Sequence, residues 1–242
     1  MNSVEEVLIH MKQVLIEEPF KVRVRQDAEV PTPKAGEALL QVMYCGICGA
    51  DLASYTGNQP FTTYPRVPGH EFSARIVDIP ENDKGLKPGD IVTCNPYFNC
   101  GKCYSCRRGF VNCCTDNQTM GVQRDGSFQE YITMPVQRIF SGKGLTARQL
   151  ALVEPFCIGH HGITRGNVQE GDKVLIVGAG PIGMFAMLSA KAIGAEVYMT
   201  DLLDGRLEKA TQMGADGVAN GKDPEALKDL NQKVTNGDGF DV

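Results

Sequence analysis

Tryptophan is absent from this sequence, histidine occurs only four times, and no apolar stretch is long. The longest apolar runs, such as Lys173–Ala179, are far short of the roughly 20 residues a membrane-spanning helix needs. Basic charge is also scarce. The 24 Lys and Arg residues face 29 Asp and Glu, giving a net charge of −5, and no basic run is dense enough to follow a phosphate backbone. Nucleic-acid and membrane partners are therefore not expected. Glu5 and Glu6 stand where a secretory leader carries basic residues, so the chain is expected to be cytoplasmic.

What the sequence has in quantity is cysteine, nine residues of it. A reducing compartment keeps thiols from resting in stable disulfides, so metal binding becomes the leading explanation. Cys45, Cys94 and Cys157 stand apart from any ligand pattern and are expected to serve as small buried hydrophobes. At 242 residues, 42% hydrophobic and 22% charged, the chain has the composition of an ordinary globular protein and needs no covalent staples.

Residues 1–10 read as an extension ahead of Met11, where strand-like alternation begins. Short β-rich runs at Glu37–Met43, Glu71–Ile79, Asp90–Cys94 and Phe128–Met134, separated by Pro and Gly turns, predict a β domain over residues 1–150. The pattern changes beyond it. Lys173–Val177 reads as a buried strand entering a glycine turn, followed by a helix from Pro181 to Gly194 and a strand over Glu196–Thr200. A helix from Arg206 to Met213, a strand near Val218 and a helix over Pro224–Val234 complete the alternation. Alternating strands and helices imply a parallel sheet, so residues 151–242 are expected to form part of a doubly wound, Rossmann-type domain. Gly239–Val242 opens what is expected to be the next strand, which reads as a C-terminally incomplete sheet with one edge unpaired.

Cys100, Cys103, Cys106 and Cys114 follow a C-x2-C-x2-C-x7-C spacing, which closes a tetrahedral thiolate shell around zinc. A closed shell leaves no place for substrate, so this site is expected to be structural; chance spacing and an iron–sulfur site are the alternatives. Cys113 is a spare thiol beside the fourth ligand.

A second set is scattered along Gly46-Ile-Cys48-Gly-Ala-Asp51, Gly69-His70-Glu71 and Val153-Glu154-Pro155. Each piece by itself is more often structural. Together, one thiolate, one imidazole and one carboxylate supply three ligands and leave a fourth position open. A cation so held would act as a Lewis acid toward an alcohol hydroxyl and ease departure of hydride from its carbon. Gly178-Ala-Gly180-Pro-Ile182-Gly183 follows a strand and opens a helix, with Asp201 23 residues after Gly178 at the end of the next strand. Those glycines admit a pyrophosphate to the helix N-terminus, and the carboxylate accepts ribose hydroxyls while repelling a 2′-phosphate. NAD is thus expected over NADP.

These segments, with Pro88-Gly-Asp90, Gly126-x-Phe-x-Glu-Tyr131 and Glu154-Pro155 in the same order, resemble the zinc-dependent medium-chain dehydrogenases over about residues 11–242. The resemblance implies a GroES-like β-barrel domain followed by a partial Rossmann domain, with the active site in the cleft between them. It implies a catalytic zinc on Cys48, His70 and Glu154, with Glu71 either ligating directly or standing behind the ligands, and a second zinc on the four cysteines. Ile182 and Arg206 would join Gly178, Gly180, Gly183 and Asp201 around NAD, and His161 matches a family histidine. Glu154-Pro155, Asn58-Gln-Pro-Phe61 and Tyr64-Pro-Arg-Val67 are most similar to the polyol and sugar-acid branch, whose members act on sorbitol, galactonate, gulonate or idonate. The full-length form is expected to be a homo-oligomer.

Two positions depart from the family pattern. Ala50 and Ala53 replace the Ser or Thr and the His that relay a proton, so a zinc-linked water with Glu154 or Glu71 is expected to take over, or turnover to be slow. A zinc-binding fragment without activity and a zinc- or redox-responsive binding protein are the competing readings.

Overall fold

The computed structural model describes residues 10–242. Apart from His10, the expected N-terminal extension lies outside the described residues. The chain divides into two compact units, the first ending at Glu154 and the second running from Pro155 to Val242.

The first unit begins with an antiparallel hairpin, β1 (His10–Glu18) and β2 (Lys21–Glu29). The strand β3 (Glu37–Cys45) leads into a short helix α1 (Gly49–Tyr55), and then come β4 (Phe72–Asp78) and β5 (Ile91–Cys94). A two-residue strand β6 (Tyr97–Phe98) enters the four-cysteine loop, which holds the single-turn helix α2 (Tyr104–Arg107) and leaves through β7 (Gln118–Thr119). β8 (Tyr131–Pro135), β9 (Ile139–Ser141) and the helix α3 (Ala147–Leu150) follow. Five of these strands form an antiparallel sheet in the order β8-β3-β4-β5-β9. Its core is made of Leu40, Phe72, Ala74, Ile76, Val92, Met134 and Ile139, all at most 1% exposed. β-Branched and aromatic side chains suit a half-buried pleated surface, and the alternating burial along β3 shows one face turned to that core.

The division between units falls in the first turn of α4 (Val153–Arg165). In the second unit, β10 (Lys173–Val177), β11 (Glu196–Asp201) and β12 (Gly217–Asn220) pair in parallel in that order. α5 (Pro181–Ile193) packs on β10 and β11, α6 (Asp204–Gln212) on β11 and β12, and α7 (Pro224–Thr235) on β12. Pro181 at the first helical position suits α5 because its missing N–H would be unpaired there in any case. Gly194, in the left-handed conformation, ends the helix. Val174, Val197 and Met199 meet Met187, Ala190, Leu207 and Ala210 in the core. On the free side of β10, Asp241 N–H donates to the Lys173 carbonyl and Leu175 N–H to the Val242 carbonyl, so the last residues add to the sheet.

Cys94 is buried as expected, whereas Cys157 is exposed. Phe156 and Ile158 on either side of it are exposed as well, and α4 makes its close approach to α5 at Gly159 instead.

Candidate metal and dinucleotide sites

Cys48 is the N-cap of α1, and Asp51 lies three residues on. One Asp51 oxygen accepts from Cys48 N–H at 2.8 Å and the other from Gly69 N–H at 2.9 Å. The carboxylate is 5% exposed. A single buried acidic group thereby ties the loop carrying Cys48 to the loop carrying His70 and Glu71. A second tie runs from Gly46 N–H to the Glu71 carbonyl at 2.7 Å. A Cβ at Gly46 would meet the Glu71 carboxylate and displace it.

These ties bring Cys48, His70 and Glu71 together, with one ligand atom from each lying within 4.8 Å of the others. His70 is 5% exposed and its Nδ1 is buried without a hydrogen-bond partner. A buried polar atom left unpaired is costly, and a cation would satisfy it. Burial pushes the Cys48 thiol up to about 11, and burial likewise raises the Glu71 carboxyl. A positive charge beside them would favour the ionised form of both. The donor set of one sulfur, one imidazole and one carboxylate fits zinc with a position open.

Glu154, in the first turn of α4 and 8% exposed, stands beside this cluster and outside its 4.8 Å circle. Its charge reaches Glu71, whose carboxyl it raises further. One Glu154 oxygen accepts a short hydrogen bond from the Tyr97 hydroxyl. Burial, with the Glu154 carboxylate second, raises the Tyr97 phenol strongly, so Tyr97 is the donor.

The four sulfurs of Cys100, Cys103, Cys106 and Cys114 also lie within 4.8 Å of one another. Backbone N–H groups point at them: Cys100 at the Cys114 sulfur (3.2 Å), Cys103 at Cys100 (3.3 Å), Cys106 at Cys103 (3.5 Å) and Asp116 at Cys114 (3.4 Å). The Cys106 N–H leads in holding the Cys103 thiol down to about 6. The helical turns of this loop contain no buried residue, so a cation is the natural source of its order. Cys113 is exposed beside it.

In the second unit, Gly178 N–H donates to the Thr200 carbonyl at 2.7 Å, setting the glycine turn against the end of β11. A Cβ at Gly183 would collide with the Gly178 carbonyl oxygen. Gly180 is the N-cap of α5 and Ile182, 40% exposed, lies in its first turn. Asp201 accepts from Ala179 N–H (2.8 Å) and Leu203 N–H (3.0 Å), with the Arg206 guanidinium 3.4 Å away. The Ala179 N–H leads in holding its carboxyl below the usual range. Oδ1, which accepts only from Leu203 N–H, keeps a lone pair for a ligand hydroxyl, whereas Oδ2 already receives Ala179 N–H and Arg206. A pocket of about 680 Å³ lined by Gly178, Asp201, Leu202, Leu203 and Arg206 opens there. His161 lies on an exposed side of α4.

Sequence reasoning passed over Tyr97 and gave Asp51 no task. Asp51 carries a signal, because its spacing of three from Cys48 is that of a capping carboxylate. Tyr97 carries none, since nothing in the sequence relates it to a partner 57 residues away.

Residues 34–143 match the family model for the alcohol dehydrogenase GroES-like domain, and residues 181–242 match that for zinc-binding dehydrogenases. The chain is 43% identical over 195 residues to L-galactonate-5-dehydrogenase of Escherichia coli K12, covering 81% of this chain and 57% of that protein. It is 35% identical over 240 residues to sorbitol dehydrogenase of Bacillus subtilis 168, covering 96% and 67%. The short chain alcohol dehydrogenase RspB of E. coli CFT073, crystallised with NADH, superposes with a TM-score of 0.85 at 36% identity, covering 93% of this chain and 66% of that one. The chain thus spans under two thirds of the galactonate enzyme's length. With both family models matched in order and the sorbitol enzyme covered to two thirds, the chain belongs to the zinc-type medium-chain alcohol dehydrogenase family.

Proposed function

We propose that this chain serves a zinc-dependent oxidoreductase that moves hydride between a secondary alcohol, in a polyol or sugar acid, and NAD. The observation that carries the reading is the Cys48–His70–Glu71 cluster with its unpartnered, buried His70 nitrogen. Cys48, His70 and one of Glu71 or Glu154 would hold the catalytic zinc, and Cys100, Cys103, Cys106 and Cys114 a structural one. A cation held there would supply Lewis acidity to a substrate hydroxyl, and a bound nicotinamide would be the hydride acceptor.

The chain's own residues do the rest. Gly178, Gly180 and Gly183 leave room for a pyrophosphate at the start of α5, with Ile182 beside it. Asp201 receives the ribose hydroxyls and disfavours a 2′-phosphate, and Arg206 flanks the adenosine. Ala50 and Ala53 offer no proton-carrying group, so the hydroxyl proton leaves through Glu154 or Glu71. Substrate class follows the relatives named for galactonate and sorbitol. The reading includes a cytoplasmic location and a homo-oligomeric full-length form. None of the described helices is long and apolar enough to cross a membrane.

A screen for NAD reduction over sorbitol, other polyols and sugar acids including L-galactonate tests the reading. Turnover with at least one member, abolished by Glu154→Gln, is expected. Full activity in that variant would remove Glu154 from the proton path, and zinc uptake with no turnover on any member would reduce the chain to a binding protein.

A further inference from the structure

Resting on the proposed catalytic cluster, the structure assigns to Tyr97 a positioning role: its hydroxyl holds Glu154 beside the Cys48–His70–Glu71 cluster and keeps it from becoming an additional ligand.

Glu154 is a buried carboxylate, and a buried charge needs a partner. Two partners are within its reach, the Tyr97 hydroxyl and a cation on the neighbouring cluster. The Tyr97 hydroxyl holds one oxygen in the structure. Glu71 is already inside the cluster, so Glu154 is the carboxylate left over. Its restraint determines whether the fourth position stays open.

Tyr97 can exert that restraint because its own backbone is fixed. β6 is too short to be held by ladder bonds alone, and other contacts take over. The Tyr97 N–H donates to Asn95 Oδ1 at 2.9 Å, and Arg138 donates to the Tyr97 carbonyl. The same guanidinium donates to Asn99 Oδ1 at 3.0 Å and lies 4.5 Å from the centroid of the Phe98 ring, which also carries Arg124 at 3.6 Å. Asn99 in turn donates to the Cys106 sulfur at 3.6 Å. The strand bearing Tyr97 is thus anchored on one side by Arg138 and on the other by the four-cysteine loop.

The test compares the chain with Tyr97→Phe, Glu154→Gln and the double variant, each loaded with cobalt(II). Cobalt bound by four thiolates gives intense sulfur-to-metal absorption, which reports the four-cysteine loop separately and controls for folding. In Tyr97→Phe the released carboxylate joins the cluster. The cluster's d–d absorption is therefore expected to shift as a carboxylate replaces solvent at the open position, and a chelator to extract that cation about tenfold more slowly, the scale on which outer partners tune a site. In the Glu154→Gln background the Tyr97 substitution is expected to change neither quantity, as it must if Tyr97 acts through Glu154. Unchanged or faster extraction in Tyr97→Phe, or an equal effect of Tyr97→Phe with and without Glu154, would overturn the assignment. A wild-type chain that binds only the four-thiolate cobalt would overturn the assignment and the catalytic cluster together.

Discussion

Asp51 joins two ligand-bearing loops with two hydrogen bonds from one carboxylate. Asp51→Ala leaves two backbone N–H groups unpaired, and hydrogen bonds to a charged acceptor contribute about 1.5–3 kcal/mol each. A loss of about 3 kcal/mol in a denaturant melt is expected, with one metal lost per chain and the four-thiolate signature kept. Asp201 has a separable task. Replacement by Ser is expected to weaken NAD binding about tenfold, near 1.4 kcal/mol, while NADP binding holds or improves. Titration calorimetry with both dinucleotides checks this, and tighter NADP than NAD binding by the unaltered chain would contradict the role given to Asp201. At this scale the sequence was legible where chemistry repeats at short spacing, as in the four cysteines and the glycine triad. It was less legible at Glu154 and Glu71. Both are carboxylates of the right kind, and only folding shows that Glu71 enters the cluster while Glu154 is turned toward Tyr97.

The glycine turn between β10 and α5 shows how an element depends on what it excludes. Gly183→Ala places a methyl group against the Gly178 carbonyl, backbone against backbone, and overpacking of this kind costs about 3 kcal/mol. Loss of dinucleotide binding with a lowered melting temperature is expected, again with the four-thiolate signature intact. A pH effect belongs to the same sheet. Burial pushes the Asp216 carboxyl up, but the Lys191 ammonium at 2.8 Å and the Val197 N–H at 2.6 Å outweigh it and hold the group below its ordinary range. A depressed folded pKa means the stabilisation is present above the unfolded value of about 4 and is lost as pH falls through the folded one. Asp216→Asn should therefore flatten the acid limb of the stability curve below about pH 4 and leave its slope near neutrality unchanged. From β10 to α7 the elements of this unit were readable to within a residue or two, since Pro181, Gly194 and Pro224 mark ends that backbone sterics dictate, whereas α4 was not bounded. In the first unit, α1 and the β6–β7 pair escaped the sequence reading. α1 has seven residues and the paired strands two each, lengths at which periodicity carries no signal; the positions of these elements are set by the carboxylate cap and by the cysteine loop.

At the scale of the whole chain, two groups of residues that could hold a metal ion and one glycine turn opening a helix occur together in a chain whose parts match the GroES-like and zinc-binding dehydrogenase families. The four-cysteine loop has almost no apolar burial of its own, so its order is expected to depend on its cation. Chelation should make the loop's backbone N–H groups exchange rapidly while β3 and β4 remain protected, which hydrogen exchange would resolve. The central claim is that the chain holds two different metal sites, and elemental analysis of the purified chain tests it most directly. About two zinc ions per chain, falling to about one in His70→Ala and to about one in Cys103→Ser, is the expected result. A single zinc that survives His70→Ala, or none at all, would contradict the account.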